Sequence, residues 1–389
     1  MRRIKLVILL ASFVLALHAQ AQTAPVVNEH RPRAREIGIH PGVYDPGPKN
    51  AITDVAGVLV GQVTIIDGGN VRTGVTAILP HGGNIFQEKV AGAVFVYNAF
   101  GKLIGSTQVN ELGQIETPIV LTNTLSVWKA AAAVAGWTLA QPGNENVHSV
   151  NPLVGETNDG WLNDIRGFHV KAEDIKRAIR EANSGPVEEG SVGAAEGTIA
   201  FGWKGGIGTS SRRLSEKEGG YMIGVLVQTN FGGHLTIAGA PIWKELRPTQ
   251  ETSKNDAFPR NEADGSCMIV VATDAPLDSR QLRRLAARVI IGMARAGSTG
   301  SNGSGDFVIA FSTANRIAVG AARGAVLSLL GEDALSPLFE AAADATEESI
   351  DDSLLKAQTV RGRDGHTAEA IPIDRLREIL AKPSWQPPR

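Results

Sequence analysis

Four short stretches of this chain carry residue types that could do chemistry. The first is Asp264-Gly265-Ser266-Cys267, where a polar segment containing Pro248 and Pro259 meets the apolar run Met268 to Ala272. A serine at such a junction can attack the carbonyl in front of it, moving the acyl group from nitrogen to oxygen. Hydrolysis of that ester leaves a chain that starts with serine. The preceding glycine lacks a Cβ and tolerates the distorted peptide that attack requires. The new terminus would carry a nucleophilic hydroxyl and an α-amine of pKa about 8, suited to act as a base. A plain loop leading into a strand fits the same four residues.

The second stretch is Gly303-Ser304-Gly305-Asp306. Ser304 and Asp306 share a face if the chain is extended, and a hydroxyl with a carboxylate can orient or deprotonate a nucleophile. A turn or anion nest is the alternative. A Walker loop is excluded by the missing Lys, and a nucleophile elbow by Asn302, which stands where its first glycine belongs. The third, Gly155 to Asp164, crowds carboxylates and amides around Trp161. A buried carboxylate there could hold a substrate ammonium, or the run could be an Asx-rich turn. The fourth, Gln228-Thr229-Asn230-Phe231-Gly232, ends a strand in an asparagine whose amide could donate to an oxyanion or simply form a turn.

Strands and helices must hold these residues. Short β-rich runs are predicted at Val58–Val60 with Val63–Ile66, and at Val75–Leu79, Ala93–Tyr97, Pro118–Thr122, Thr198–Trp203, Tyr221–Gln228, Met268–Ala272 and Phe307–Phe311. Met268–Ala272 is apolar throughout and reads as a central strand buried on both faces. Helices are predicted at Ser126–Ala140, Lys171–Asn183, Asp278–Ala296, Ser336–Ala357 and Asp374–Ala381, the last with Asp374 as N-cap. Residues 22–37 read as an extended arm and 247–264 as an exposed loop. The intermixed elements make an α+β layered protein without the βαβ alternation of a Rossmann domain.

Composition narrows the function classes. The 38 Lys+Arg against 40 Asp+Glu leave a formal charge of -2, which argues against binding nucleic acid through its phosphates. The His residues are scattered with no zinc spacing, so neither a metal nor a cofactor is expected. Cys267 is alone and cannot form an internal disulfide. Arg2, Arg3 and Lys5, the apolar run Leu6–Leu17 and Ala19-Gln20-Ala21 read as a signal peptide cleaved after Ala21, placing the protein in the periplasm or outside the cell with no membrane attachment afterwards.

Taken together and in this order, the segments resemble the DmpA-like family of L-aminopeptidase/D-Ala-esterase/amidases and β-peptidyl aminopeptidases. The resemblance runs from about Ile52 to Ile379. It is carried by Gly265-Ser266 with Ile269 to Leu277, by Asn302 to Asp306, by Ala310 to Asn315, by Ala51 to Val58, by Lys204 to Arg212 and by Val225 to Gln228. It implies a four-layer αββα sandwich like that of N-terminal-nucleophile hydrolases, with different connectivity. It also implies self-cleavage between Gly265 and Ser266 into a large subunit, 22–265, and a small one, 266–389, that build one composite domain.

On that resemblance Ser266 is the nucleophile, Ser304 and Asp306 activate it, Asn230 donates to the oxyanion and Glu156 binds the free amino group of a small peptide or amide substrate. Asn158 stands where some members place a Tyr that assists the oxyanion hole. The cleaved pairs would assemble as a homo-oligomer, as a tetramer of α–β pairs. Gly265 and Asp306 match the aminopeptidase/amidase branch, whereas the export signal matches the β-peptide branch, so the substrate stays open. An acyl transferase like the ornithine acetyltransferases and a non-catalytic periplasmic binding protein are the alternatives.

Overall fold

A computed structural model describes residues 30–249, 265–320 and 327–382. The expected signal peptide and nearly all of the segment expected as a loop before Gly265 lie outside the described residues. The first half of the chain runs β1 (Leu59–Asp67), β2 (Val71–Leu79), β3 (Glu88–Ala99), β4 (Leu103–Ile104), α1 (Ser106–Leu112), β5 (Gln114–Ile115), β6 (Ile119–Asn123), α2 (Val127–Leu139), β7 (Leu153–Thr157) and α3 (Ala172–Arg180). The second half runs β8 (Ile199–Ala200), β9 (Trp203–Lys204), β10 (Ile207–Arg213), β11 (Met222–Asn230), β12 (Ser266–Thr273), α4 (Ser279–Arg295), β13 (Gly305–Ala318), α5 (Ser336–Leu355) and α6 (Ile373–Leu380).

The two large sheets have the orders β1-β2-β6-β7-β4 and β10-β11-β12-β13-β3-β5. The alternation of β12 shows how they stack. Cys267, Ile269 and Val271 join a core with α4 and α5 residues such as Leu285, Val289 and Leu354. Met268, Val270 and Ala272 join a second core with Leu121 and Leu153 of the facing sheet. A third core fills the space between the first sheet and α2 and α3, through Val75, Val120, Val134 and Ile175. The layers are therefore helix, sheet, sheet, helix, the αββα sandwich expected. Full burial of each such side chain stabilises the fold by roughly 1.5–3 kcal/mol.

A separate polar layer seals the outer edge of the second sheet. Arg212 on β10 and Glu348 on α5 are both fully buried and 2.7 Å apart. Arg35 reaches the same carboxylate at 2.9 Å, and Arg33 reaches Asp352 at 2.9 Å. The arm around residues 31–37 is thus pinned to α5 by charge, and its end, Arg35–Ile37, is a short 3-10 turn rather than extended chain.

Other elements depart from expectation for local reasons. Thr198–Trp203 is not one strand but the tight hairpin of β8 and β9, because Phe201 and Gly202 both take positive φ. The N-cap of α6 is Pro372, with Asp374 inside the first turn, where its charge still favours the helix N-terminus. β10 had no predicted strand because it is rich in hydroxyl and charged residues. All but the last, Arg213, are buried all the same, with Thr209 Oγ1 donating to Val225 O at 2.7 Å and Ser210 Oγ to Ala345 O at 2.6 Å.

Candidate active site

The expected nucleophile opens β12. Ser266 lies opposite Asn230, the last residue of antiparallel β11, and opposite Gly305, the first residue of parallel β13. Strand spacing of about 4.8 Å thus sets Ser266 between Asn230 and the middle residue of the Ser304-Gly305-Asp306 segment. The carbonyl of Gly265 accepts a 2.9 Å hydrogen bond from Gly305 N. A Cβ on Gly265 would fall 2.0 Å from Asn230 O, so the junction is closed to any side chain without a backbone shift.

Ser304 and Asp306 meet as the extended spacing requires, with Ser304 Oγ donating to Asp306 Oδ1 at 2.8 Å and both residues buried. Burial pushes the Asp306 carboxyl up to about 6, while the Ser304 hydroxyl and the Cys267 amide pull it down. Its Oδ2 has no partner among the described residues. The neighbouring Cys267 thiol is pushed well up by burial and by Asp306, so it stays protonated and does not compete as a nucleophile.

Asn230 is buried, and its Oδ1 accepts from Ile199 N at 3.1 Å, which fixes the amide and leaves Nδ2 as its donor. Glu156 sits on β7 at the matching end of the other sheet and is 2 % exposed. Its Oε1 accepts from Lys102 N at 2.9 Å and lies 3.5 Å from Lys102 Nζ, while its Oε2 accepts from Thr124 Oγ1. Gly101 connects this carboxylate to β13. A Cβ there would be 3.3 Å from Glu156 Oε1 and 3.4 Å from Gly305 Cα. The two sheets are also tied at this end by Gln228 Nε2, which donates to Thr157 Oγ1 at 2.8 Å.

Asn158 is exposed, and its Oδ1 caps Gly160 N at 2.9 Å in the turn that follows β7. Lys102, Thr124 and Gln228 carried no role in the sequence reading. Lys102 and Thr124 are 54 and 32 residues from Glu156 in the chain. Only Gln228, a polar residue closing the apolar run Val225-Leu226-Val227, left a local trace. Among the described residues no group of three His, Cys, Asp or Glu side chains is placed to hold a metal ion.

The arrangement can do acyl chemistry: a hydroxyl at a strand start, a hydroxyl–carboxylate pair beside it, an amide donor and a buried carboxylate. With Asp306 as the proton acceptor, its carboxyl would set the acid limit of the reaction. Below about pH 6 the carboxyl is protonated and no longer accepts a proton, so the rate should fall as pH drops through that value. Asp306→Asn should lower kcat by about 10²–10⁴-fold and erase this acid limb in a pH–rate profile. An unchanged limb in that variant would assign it to another group.

The profile of peptidase family S58 matches residues 50–368. The β-peptidyl aminopeptidase BapA of Sphingosinicella microcystinivorans is 44% identical over 388 residues, covering 94% of this chain and 96% of that protein. Among solved structures, a Burkholderia sp. β-aminopeptidase superposes with a TM-score of 0.84 at 38% identity, covering 92% of this chain and 100% of the other. The L-aminopeptidase D-Ala-esterase/amidase of Ochrobactrum anthropi, described as a prototype of the serine aminopeptidases and a variant of the Ntn-hydrolase fold, gives 0.81 at 37% identity, over 90% and 98% of the two chains.

Proposed function

Because the chain belongs to peptidase family S58 and is a hydrolase of the N-terminal-nucleophile type, we propose that it cuts itself between Gly265 and Ser266 and then works as an aminopeptidase with Ser266 as nucleophile. The observation that carries the proposal is the register at the start of β12. Ser266 faces Asn230 on one side and the Ser304-Gly305-Asp306 segment on the other, with Gly305 N already donating to the carbonyl to be attacked. That hydrogen bond polarises the Gly265 carbonyl and supports the oxyanion that forms when Ser266 Oγ adds. The same hydroxyl then attacks the first carbonyl of a substrate, Asn230 Nδ2 receives the developing charge, and water releases the acyl group. Either the Ser266 α-amine or the Ser304–Asp306 pair takes the proton.

Glu156 selects the substrate. A buried carboxylate favours a free ammonium, which shares or replaces the contact Lys102 makes. The products are single residues from short peptides, amides or esters, and the 44% identical β-peptidyl relative puts N-terminal β-amino residues first among them. Family membership favours hydrolysis over both acyl transfer and simple binding. The protein works as an oligomer of cleaved pairs, exported by the leader at residues 1–21.

Denaturing mass spectrometry of the purified protein should find two chains, the smaller beginning at Ser266, and the sample should hydrolyse the p-nitroanilide of β-Ala alongside those of L-Ala and D-Ala. A persistent intact chain would overturn self-processing. Failure on all three anilides would overturn the aminopeptidase reading.

A further inference from the structure

Behind Asn230 lies a buried ammonium that the chemistry above leaves unused. Lys204 closes the short strand β9 and has no exposed surface. Its Nζ donates to Ala195 O at 2.8 Å and to Gly205 O at 2.7 Å, and its own backbone N donates to Glu369 O at 2.7 Å. No carboxylate pairs with it within salt-bridge distance among the described residues. The buried Glu196 and Asp159 are its electrostatic neighbours instead, and Arg72 faces Glu196. Burial draws the Lys204 ammonium down to about 8, so it remains charged at neutral pH. A charge placed here is costly to desolvate, so its two carbonyl contacts need a purpose.

The segment it grips is the one that sets Asn230. Ala195 ends a 3-10 turn, Gly193–Ala195, and its carbonyl also accepts from Thr198 N at 3.3 Å and from Thr198 Oγ1 at 3.0 Å. Gly205 N returns to Thr198 O at 3.0 Å. The next residue, Ile199, is the one whose N–H holds Asn230 Oδ1 at 3.1 Å. Space around this turn is closed: a Cβ on Gly197 would fall 2.2 Å from Arg72 O and 2.8 Å from Asp159 Cβ. Lys204 therefore ties the Ala195 and Gly205 carbonyls together beside Thr198, the residue that precedes the Ile199 N–H bonded to Asn230.

We propose that Lys204 is a positioning residue for the oxyanion donor: by clamping the 195–199 turn it fixes the Ile199–Asn230 hydrogen bond, and with it the direction in which Asn230 Nδ2 points. The inference rests on the reading of Asn230 as oxyanion donor. A displaced donor weakens transition-state binding more than ground-state binding, so the loss belongs in kcat.

The test is a double-mutant cycle on the processed enzyme with Lys204→Met and Asn230→Ala, each checked by thermal melting. Lys204→Met should lower kcat about ten- to a hundredfold with KM nearly unchanged, the scale of a small misplacement of a catalytic group. In the Asn230→Ala background the same change should cost almost nothing, because the group it positions is gone. If Lys204→Met fails to fold, Lys204→Gln, one bond shorter and bearing an amide oxygen that repels one of the two carbonyls, is read in the same way. Full additivity of the two losses, a rise in KM alone, or an unaltered kcat in a folded Lys204 variant would overturn the proposal. If Asn230→Ala itself keeps wild-type kcat, both the donor role and its positioning fall together.

Discussion

Replacing Ser266 by alanine is expected to give a single uncut chain with no measurable turnover. On the proposed mechanism the hydroxyl serves twice, first on the Gly265 carbonyl and then on substrate, and neither reaction has a substitute nucleophile at this position. Cys267 is one residue on, but it packs into the helix-side core and its thiol stays protonated. Removing a serine nucleophile costs roughly a millionfold in kcat, which takes the rate to background. The variant should still fold, since Ser266 is small and no hydrogen bond of its Oγ is needed to pair β12 with β11 and β13. The measurements are intact mass, a thermal melt and p-nitroanilide release. An alanine variant that stays uncut yet releases product at the wild-type rate would move the nucleophile elsewhere.

The second large effect belongs to Glu156→Gln. The carboxylate is almost wholly buried, and its Oε2 and Oε1 are already held by Thr124 and by the backbone of Lys102. Glutamine preserves the shape and loses the charge. Breaking a buried ion pair on one side costs about 3–5 kcal/mol, which corresponds to a fall in kcat/KM of roughly a hundred- to several-thousandfold. Peptides with a free amine should drop to the rate of N-acetylated ones, which the wild-type enzyme should already ignore. Steady-state kinetics on the matched pair reads this directly. Equal turnover of free and acetylated peptides by the wild-type protein would remove Glu156 from amine recognition.

What the sequence made legible follows the physics of its patterns. Met268–Ala272 is apolar without interruption, so a doubly buried strand was the natural reading, and the serine in front of it inherited a defined place. Ser304 and Asp306 are two residues apart, and an extended backbone alone brings their side chains together. The helix α4 announced itself through Leu282, Leu285, Ala286, Val289, Ile290 and Met293, all of which are buried except the half-buried Ile290. The site's remaining parts have no such local signature. Thr124 and Lys102 reach Glu156 only because β6 runs parallel to β7 while β4 pairs with β7 from the other side. Polar strand β10 hides its burial behind hydrogen bonds to α5, and hydropathy registers such residues as surface. Lys204 is the extreme case, since nothing in a sequence distinguishes an ammonium bonded to two carbonyls from one in water.

The strand order of the larger sheet has a consequence for the life of the molecule. The two strands downstream of the Gly265–Ser266 bond, β12 and β13, lie side by side with β11 on one flank and β3 on the other, both from upstream. A chain severed at that bond would stay whole, because parting its halves means tearing the sheet along two ladders. The reverse journey is different. Before the cut, one chain threads β12 into its gap at the high effective concentration of a tethered segment. After it, two separate strangers would have to find the same interleaved arrangement from solution. Maturation would then be a ratchet, and the working lifetime of the enzyme would be set by how slowly it unfolds rather than by a balance between folded and unfolded forms.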